Sequence, residues 1–222
     1  NGDGKIDWGK GTVEDHGDLV KIGNTTPRFQ YSFRLGADWK GIDIDLFFQG
    51  VGKRDMWSPS AFVMPLMRGA DATLYAGQTD YITQAEYEAA MAGKGTIRQD
   101  ADYPRLFAGN QGYVAGSSIM GNGSNNYVPQ SKYLINMAYL RLKNLTVGYT
   151  LPQKWTRKAT IEKVRIYASF NNLADLVNHT AKYGFDPEVS AGRGTGNITS
   201  EAYYGRTEPL MRSYSFGLQV TL

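Results

Sequence analysis

Residues 29–48 read FQYSFRLGADWKGIDIDLFF, and this stretch decides the fold class. Apolar and polar side chains alternate with a period of two on both sides of Lys40 and Gly41, which is typical of strands with one apolar face. Gly41 supplies the positive φ that a two-residue hairpin turn requires. This turn pairs Trp39 with Ile42, and every further pair on that face is then apolar. The stretch therefore predicts an antiparallel hairpin with one consistent register.

The same alternation recurs along the chain and predicts strands at about 27–40, 41–51, 139–151, 162–172 and 210–222. The third of these changes phase near Asn144, which indicates a β-bulge. Pro152 ends that strand, because proline cannot donate to the hydrogen-bond ladder.

Two long polar stretches, 52–132 and 173–208, are predicted to be loops. The first contains a short helix near 84–92, because Thr83 and Glu86 have the spacing of a capping box. Loops of this length are more often functional than accidental.

The length of the predicted strands points to a membrane. They run for about 10–13 residues, whereas soluble strands usually have ~5–6 and a tilted membrane-spanning strand needs ~9–11. Aromatic rings lie near the ends of the apolar face, at Trp39, Tyr149 and Tyr214, as in interfacial girdles. A soluble sandwich also alternates, so the order of the loops is the stronger evidence.

Short and long connections alternate as they do in transmembrane barrels, which have short periplasmic turns and long external loops. With a periplasmic C-terminus, the turns at 40–41 and 152–162 lie in the periplasm and the loops 52–132 and 173–208 lie outside. The predicted fold is all-β, an antiparallel transmembrane β-barrel segment. Five strands cannot close a barrel without leaving backbone groups unpaired in lipid, so we expect the remaining strands upstream.

Composition excludes several other classes of protein. The 222 residues include no Cys, so the chain has no disulfide framework and no thiol nucleophile. No window approaches 18 consecutive apolar residues, which excludes a membrane-spanning helix. The net charge of +3 is too small to indicate a nucleic-acid partner. The chain begins at Asn1 without Met or a signal peptide, so we expect targeting information upstream.

Several short motifs carry a resemblance to a known family. In chain order they are NGDGKID at 1–7, IGNTTPRF at 22–29, FFQGVG at 47–52, YPRL at 103–106, YLRLKNLTVGYTLP at 139–152, NNL at 171–173 and FDPE at 185–188. Together they resemble the SusC/RagA-type TonB-dependent outer-membrane transporters of Bacteroidetes. Leu222 departs from the aromatic residue that usually ends such chains.

The resemblance implies a 22-stranded barrel with an N-terminal plug, of which this chain supplies the last five strands or so. It implies a location in the cell outer membrane and the import of glycans or peptides. It also implies a SusD-like surface lipoprotein that caps the barrel, and TonB, which engages a segment absent from this chain.

An acidic motif at the start of the chain is compatible with calcium. Asn1, Asp3 and Asp7 match positions three, five and nine of an EF-hand loop, with the Lys5 carbonyl at position seven. Lys10 stands where the loop needs Glu, which excludes a complete EF-hand. An Asx-rich turn without an ion stays the alternative.

The period-two phase assigns side chains to two faces. Those expected to face the lumen are Arg34, Asp43, Asp45, Arg165 and Gln219. Those expected to face lipid are Phe33, Leu35, Ile44, Leu46, Val147, Ile166, Phe170, Phe216 and Leu218.

Six aromatic residues in the predicted external loops are candidate substrate or lid contacts. They are Trp57, Tyr81, Tyr183, Phe185, Tyr203 and Tyr204. Such rings stack on sugars or grip a partner, but packing of the loops against each other is the favoured interpretation for most of them.

The leading functional hypothesis is a transporter and not an enzyme. One alternative is a surface-binding or adhesion barrel without energised transport, which would lack an upstream plug and TonB-binding segment. Another is a soluble β-sandwich carbohydrate-binding module, which would not require detergent for extraction.

Overall fold

The computed structural model describes residues 7, 9–57, 63, 65, 74–105, 129–184, 186–188 and 210–222. Strands alternate with short helices in the order β1 (Gln30–Trp39), β2 (Ile42–Val51), β3 (Asp55–Met56), α1 (Gln84–Met91), β4 (Ile135–Asn136), β5 (Tyr139–Thr150), α2 (Gln153–Thr156), β6 (Lys163–Asn178) and β7 (Ser213–Thr221). Five strands form one antiparallel sheet in the order β1-β2-β5-β6-β7, and β3 pairs with β4. No helix within the described ranges is long and apolar enough to cross a membrane.

The predicted hairpin is confirmed at its turn and in its register. Trp39 pairs with Ile42, and Leu35 pairs with Leu46. Lys40 and Gly41 have φ values of 49° and 88°, the left-handed conformation that a two-residue turn requires.

The predicted bulge lies in β5. The register between β2 and β5 shifts where Phe47 and Phe48 face Asn144 and Leu142, which leaves Lys143 as the extra residue. The extra residue allows Leu142 and Leu145 to lie on the same face of the sheet although their spacing is odd.

The predicted end of β6 near residue 172 was wrong, and the loop does not begin at 173. The strand continues to Asn178, where Asn178 pairs with Tyr139 and Val177 pairs with Leu140. The backbone is irregular just before this extension, since Asn172 adopts a φ of 51°. The outer part of β5 nevertheless offers a partner beyond this irregularity, so the ladder resumes.

The capping box of α1 is also confirmed. The Thr83 hydroxyl accepts from the Glu86 amide at 3.2 Å, and Glu86 Oε2 accepts from the Thr83 amide at 2.7 Å. These contacts satisfy amide groups that have no partner inside the helix.

The sheet has one apolar and one polar face. Successive rows across the apolar face are Leu35–Leu46–Leu145–Phe170–Tyr214, Ala37–Ile44–Val147–Ala168–Phe216 and Trp39–Ile42–Tyr149–Ile166–Leu218. The five residues expected to face the lumen all lie on the other face. Among the described residues, little packs on the apolar face, and Phe216 and Leu218 are 83% and 65% exposed.

Polar side chains are connected across the second face. Arg165 Nε donates to Asp43 Oδ1 at 2.9 Å, and its Nη2 makes a second bond to the same carboxylate. Asn144 donates to Ser169 at 3.0 Å and to Asn171 at 2.9 Å. The face therefore carries hydrogen-bonded side chains from β2, β5 and β6.

A buried apolar cluster in the described part of the chain lies outside this sheet. It contains Met56, Val63, Tyr103, Tyr133, Ile135 and Met137, and we call it the loop cluster. It combines residues of β3 and β4 with residues from the chain between these two strands. The long segment between β2 and β5 therefore has its own core.

Gly148 provides a test of the polar face. A Cβ there would lie 2.5 Å from both Asp43 Oδ1 and Arg165 Nη2. We expect Gly148→Val to destabilise the folded protein by about 1–3 kcal/mol, because overpacking displaces the ion pair. Gly36→Val is the matched control, since its nearest neighbour, Ile44 O, is 3.7 Å away. Equal urea midpoints for the two variants would contradict this role of Gly148.

Candidate functional site

The two segments predicted to be long loops meet at a cavity of about 660 Å³, which we call the loop cavity. Four tyrosines and two lysines dominate its lining: Tyr75, Tyr103, Tyr133, Tyr183, Lys132 and Lys182. Tyr183 also packs against the loop cluster. The segment after β6 therefore contacts the segment between β2 and β5.

Aromatic rings and hydroxyl groups give the cavity binding chemistry. Tyr103 and Tyr133 stack with ring centroids 6.3 Å apart and an interplanar angle of 17°. Burial raises the pKa of Tyr103, which favours the neutral hydroxyl that can donate a hydrogen bond. An apolar ring with a polar end suits ligands that present both hydroxyl groups and apolar faces.

Charged groups complete the lining. Lys132 Nζ donates to the Ala101 carbonyl at 2.8 Å. Lys182 Nζ lies 4.7 Å from the centroid of the Tyr183 ring. Asp102 contributes a carboxylate. The cavity thus combines stacking surfaces with both signs of charge.

The described members of the predicted aromatic set have different positions. Tyr183 lines the cavity, whereas Trp57 and Tyr81 pack against the loop cluster. Phe185, Tyr203 and Tyr204 lie outside the described residues. Sequence reasoning did not identify Tyr103, although the YPRL motif contains it, because a local motif does not reveal a partner such as Tyr133.

Five charged residues hold the strands to the following loop, and we call them the Arg141 cluster. The Arg141 side chain is 5% exposed and contacts Asp175 at 2.5 Å and Asp186 at 3.0 Å. Lys143 Nζ contacts Glu188 at 2.8 Å. Charge pairs as buried as these need all their partners in place.

The cluster lies close to the loop cavity. Arg141 and Asp186 line a smaller recess of about 250 Å³, and Ala181 and Gly184 line both this recess and the loop cavity. Arg141 belongs to the polar face of the sheet, since it pairs with Gln49 in phase with Asp43 and Asp45. The loop cavity therefore adjoins the polar side of the sheet.

A second group of ion pairs stabilises the segment around α1. Arg98 contacts Asp80 at 2.7 Å, and this hydrogen bond holds the pKa of the Asp80 carboxyl below its ordinary value. The amide of Thr83 does the same for Glu86. Both carboxyl groups are therefore ionised at neutral pH and bind their partners.

The calcium motif stays a prediction. Asn1, Asp3 and Lys5 lie outside the described residues. Asp7 Oδ1 accepts from the Gly9 amide at 2.8 Å, as in an Asx turn. In the part of the chain that the structure describes, no three His, Asp or Glu side chains are grouped to hold a metal ion.

Two curated relatives are named as TonB-dependent receptors. TonB-dependent receptor P3 of Formosa agariphila is 25% identical over an alignment of 212 residues, and the match covers 90% of this chain and 17% of the relative. TonB-dependent receptor P26 of the same organism is 23% identical over an alignment of 209 residues, and the match covers 92% of this chain and 18% of that relative. The chain therefore spans less than a fifth of their length. No protein-family model matches it.

Solved structures share the fold over most of the chain. The RagAB peptide importer in its closed-closed state matches with a TM-score of 0.55 and 24% identity, over 94% of this chain and 18% of the importer chain. Its open-open state matches with a TM-score of 0.53 and 20% identity, over 95% of this chain and 19% of the importer chain. The resemblance to SusC/RagA-like TonB-dependent transporters is confirmed.

This resemblance explains the open sheet. The five strands fit a segment of an antiparallel β-barrel, which the described strands do not close. The relatives and structures bear the names of receptors and importers and not of enzymes. We therefore take the loop cavity as the candidate functional site of this segment.

The Arg141 cluster gives a test of how the loop is held. We expect Arg141→Leu to cost about 3–5 kcal/mol, because it leaves buried carboxylates without their cation. The amides of Glu188 and Leu210 donate to Asp186 at 2.9 and 3.2 Å, so their hydrogen exchange should accelerate by about a hundredfold or more.

Arg34→Leu is the control for that variant, because it breaks an exposed ion pair with Asp45 on the same face. Such pairs contribute ~0–1 kcal/mol, so exchange at Glu188 and Leu210 should stay unchanged. Equal protection in both variants would contradict an anchoring role for Arg141.

Proposed function

We propose that this chain is the C-terminal barrel segment of an outer-membrane TonB-dependent importer that takes up glycans or peptides. The supporting observation is the open sheet with one apolar and one hydrogen-bonded polar face, which matches importer structures over nearly its whole length. A soluble β-sandwich would cover the apolar face with a second sheet. In the described residues, that face is instead largely exposed.

The dimensions of the apolar face suit lipid. From Leu140 to Leu151 it covers about 36 Å of extended chain at ~3.3 Å per residue. At the usual strand tilt of ~40°, this length projects to about 28 Å, close to the ~25 Å apolar band of outer-membrane barrels. Trp39 and Tyr149 share the row near one end, as interfacial rings do.

The polar face then lines the lumen. Arg34 of β1 pairs with Asp45 of the neighbouring β2, and Arg165 of β6 reaches across β5 to pair with Asp43 of β2, so charges on different strands compensate one another. Gln219 of β7 lies opposite Arg165. Paired charges and amides are tolerated in a barrel interior that contains water or a plug.

The loop cavity is our candidate for substrate or lid contact. It adjoins the polar face, so a ligand held there would lie above the lumen. Its tyrosines offer stacking surfaces, and its lysines and Asp102 offer hydrogen bonds, which suits either an oligosaccharide or a peptide. A SusD-like lipoprotein is the proposed lid, and TonB is the proposed source of energy through the rest of the protein.

A deletion strain tests this function directly. We expect loss of the full-length protein to abolish growth on one class of oligosaccharide or peptide, and uptake to require the proton gradient that energises TonB. Normal growth on every such nutrient would contradict import. Surface binding of the nutrient with uptake independent of the gradient would instead support the adhesion alternative.

Tyr183→Ala tests the role of the loop cavity. We expect it to weaken substrate binding about two- to tenfold, because an aromatic contact contributes ~0.5–1.5 kcal/mol. Tyr87→Ala is the matched control, since that ring contacts Arg105 and does not line the loop cavity. Identical binding by both variants would place the substrate elsewhere.

Leu46→Arg tests which face meets lipid. We expect a loss of about 2–4 kcal/mol, because an Arg near mid-depth on the lipid face is poorly solvated. Ser215→Arg is the control at similar depth, since Ser215 lies in a row of the polar face. Assembly yield and urea unfolding in vesicles measure the difference, and equal behaviour would mean that the assigned faces are wrong.

A further inference from the structure

We propose that the end of the sheet with the two short connections binds the anionic phospholipids of the periplasmic leaflet. Five exposed cations define this basic end: Lys40, Lys154, Arg157, Lys158 and Lys163. Its assignment to the periplasmic leaflet rests on the topology in the proposed function. The binding of lipid itself requires only that the barrel is in a membrane.

Backbone contacts bring the two connections to one end of the sheet. The Thr150 amide donates to the Gly41 carbonyl at 2.7 Å, so the first turn lies beside the end of β5. Leu151 N donates to Val164 O at 2.9 Å, and between these residues α2 and a short 3₁₀ turn carry three of the cations. The basic end is therefore one continuous surface.

The cations of this surface are available for a partner. Among the described residues, none of the five forms an ion pair with a carboxylate. Arg157 donates to Gln153, and Lys40 Nζ lies 4.7 Å from the Trp39 ring centroid.

Two exposed acids accompany the cations, Glu162 before β6 and Asp38 before the first turn, and Asp43 is paired with Arg165. Five cations against two exposed acids leave this end with a net positive charge.

Aromatic rings accompany the cations. Trp39 and Trp155 are 67% and 58% exposed, which is unusual for so large an apolar ring in contact with water alone. Trp39 lies in the outermost full row of the apolar face, and Trp155 lies in α2 between Lys154 and Arg157. Tryptophan prefers the boundary between hydrocarbon and headgroups.

The order of these groups matches the layers of a membrane surface. Leu151 lies two residues, or about 7 Å of strand, beyond Tyr149, and the cations follow it. Long Lys and Arg side chains extend from an apolar surface toward phosphate groups. A phospholipid surface therefore offers phosphate groups to the cations and a hydrocarbon–headgroup boundary to the rings. An anionic cell-wall polymer such as peptidoglycan would satisfy only the charges.

Lipid quenching of Trp155 fluorescence tests this proposal in the full-length protein. The protein is reconstituted in bilayer discs that contain equal fractions of dibrominated phosphatidylglycerol or dibrominated phosphatidylcholine. The difference between the native protein and Trp155→Phe isolates the signal of this residue. We expect stronger quenching by the anionic lipid, and a smaller preference at 1 M salt, where the Debye length is ~3 Å.

A triple variant, Lys154→Gln/Arg157→Gln/Lys158→Gln, should lower that preference by about tenfold or more, because each cation near an anionic surface strengthens binding several-fold. The matched control is Lys21→Gln/Lys53→Gln/Lys94→Gln, which removes the same charge from exposed positions outside the basic end. Heat-modifiable mobility in electrophoresis confirms that each variant is folded.

Equal quenching by both lipids, or an unchanged preference in the triple variant, would overturn the proposal. Absence of quenching together with charge-dependent binding of peptidoglycan fragments would overturn it in favour of a cell-wall contact. The growth assay tests the import hypothesis separately, so its failure can be distinguished from a failure of the lipid-binding proposal. Cleavage at 152–162 by protease added to intact cells would overturn the assignment to the periplasmic leaflet.

Discussion

The hydrogen-bonding demand of the backbone is the constraint on which this structure depends. Hydrocarbon offers no partner to an N–H or C=O group, so a spanning strand must find both neighbours within the protein. β2, β5 and β6 do so here, whereas β1 and β7 each have one described neighbour and present an open edge. Continuous pairing also fixes the register, and the register then gathers apolar side chains on one face and polar side chains on the other.

The polar face connects the sheet to the loop cavity. Near the short connections, Arg165 and Asp43 join β6 to β2. Toward the opposite end of the sheet, Arg141 donates to Asp186, which lies in the loop after β6. This contact holds the loop to the sheet. Because the loop cavity lies beside this contact, the position of its lining depends on a buried ion pair as well as on packing.

The sequence predicted the sheet well because strand faces, turns and bulges are local properties. Lys40 and Gly41 fix the hairpin, and Asn144 marks the bulge. The end of β6 was predicted too early, because the apolar–polar alternation weakens after Phe170 while the residues of β5 that pair with the last part of β6 are distant in sequence. The loop cavity could not be predicted for the same reason: the Tyr103–Tyr133 contact joins residues far apart in the chain without any periodic pattern.

The short β3–β4 pair has a consequence for how this protein diversifies. Asp55 pairs with Asn136, and Met137 N donates to Arg54 O at 2.8 Å, immediately beyond the paired ends of β2 and β5. The intervening chain thus leaves and rejoins the wall at nearly one point, as a tight turn would. Since closure entropy rises by only ~0.6 kcal/mol for each doubling of loop length, this excursion can lengthen, shorten or exchange its contents while the strand register stays fixed. The loop segment and the sheet are thereby free to evolve at different rates.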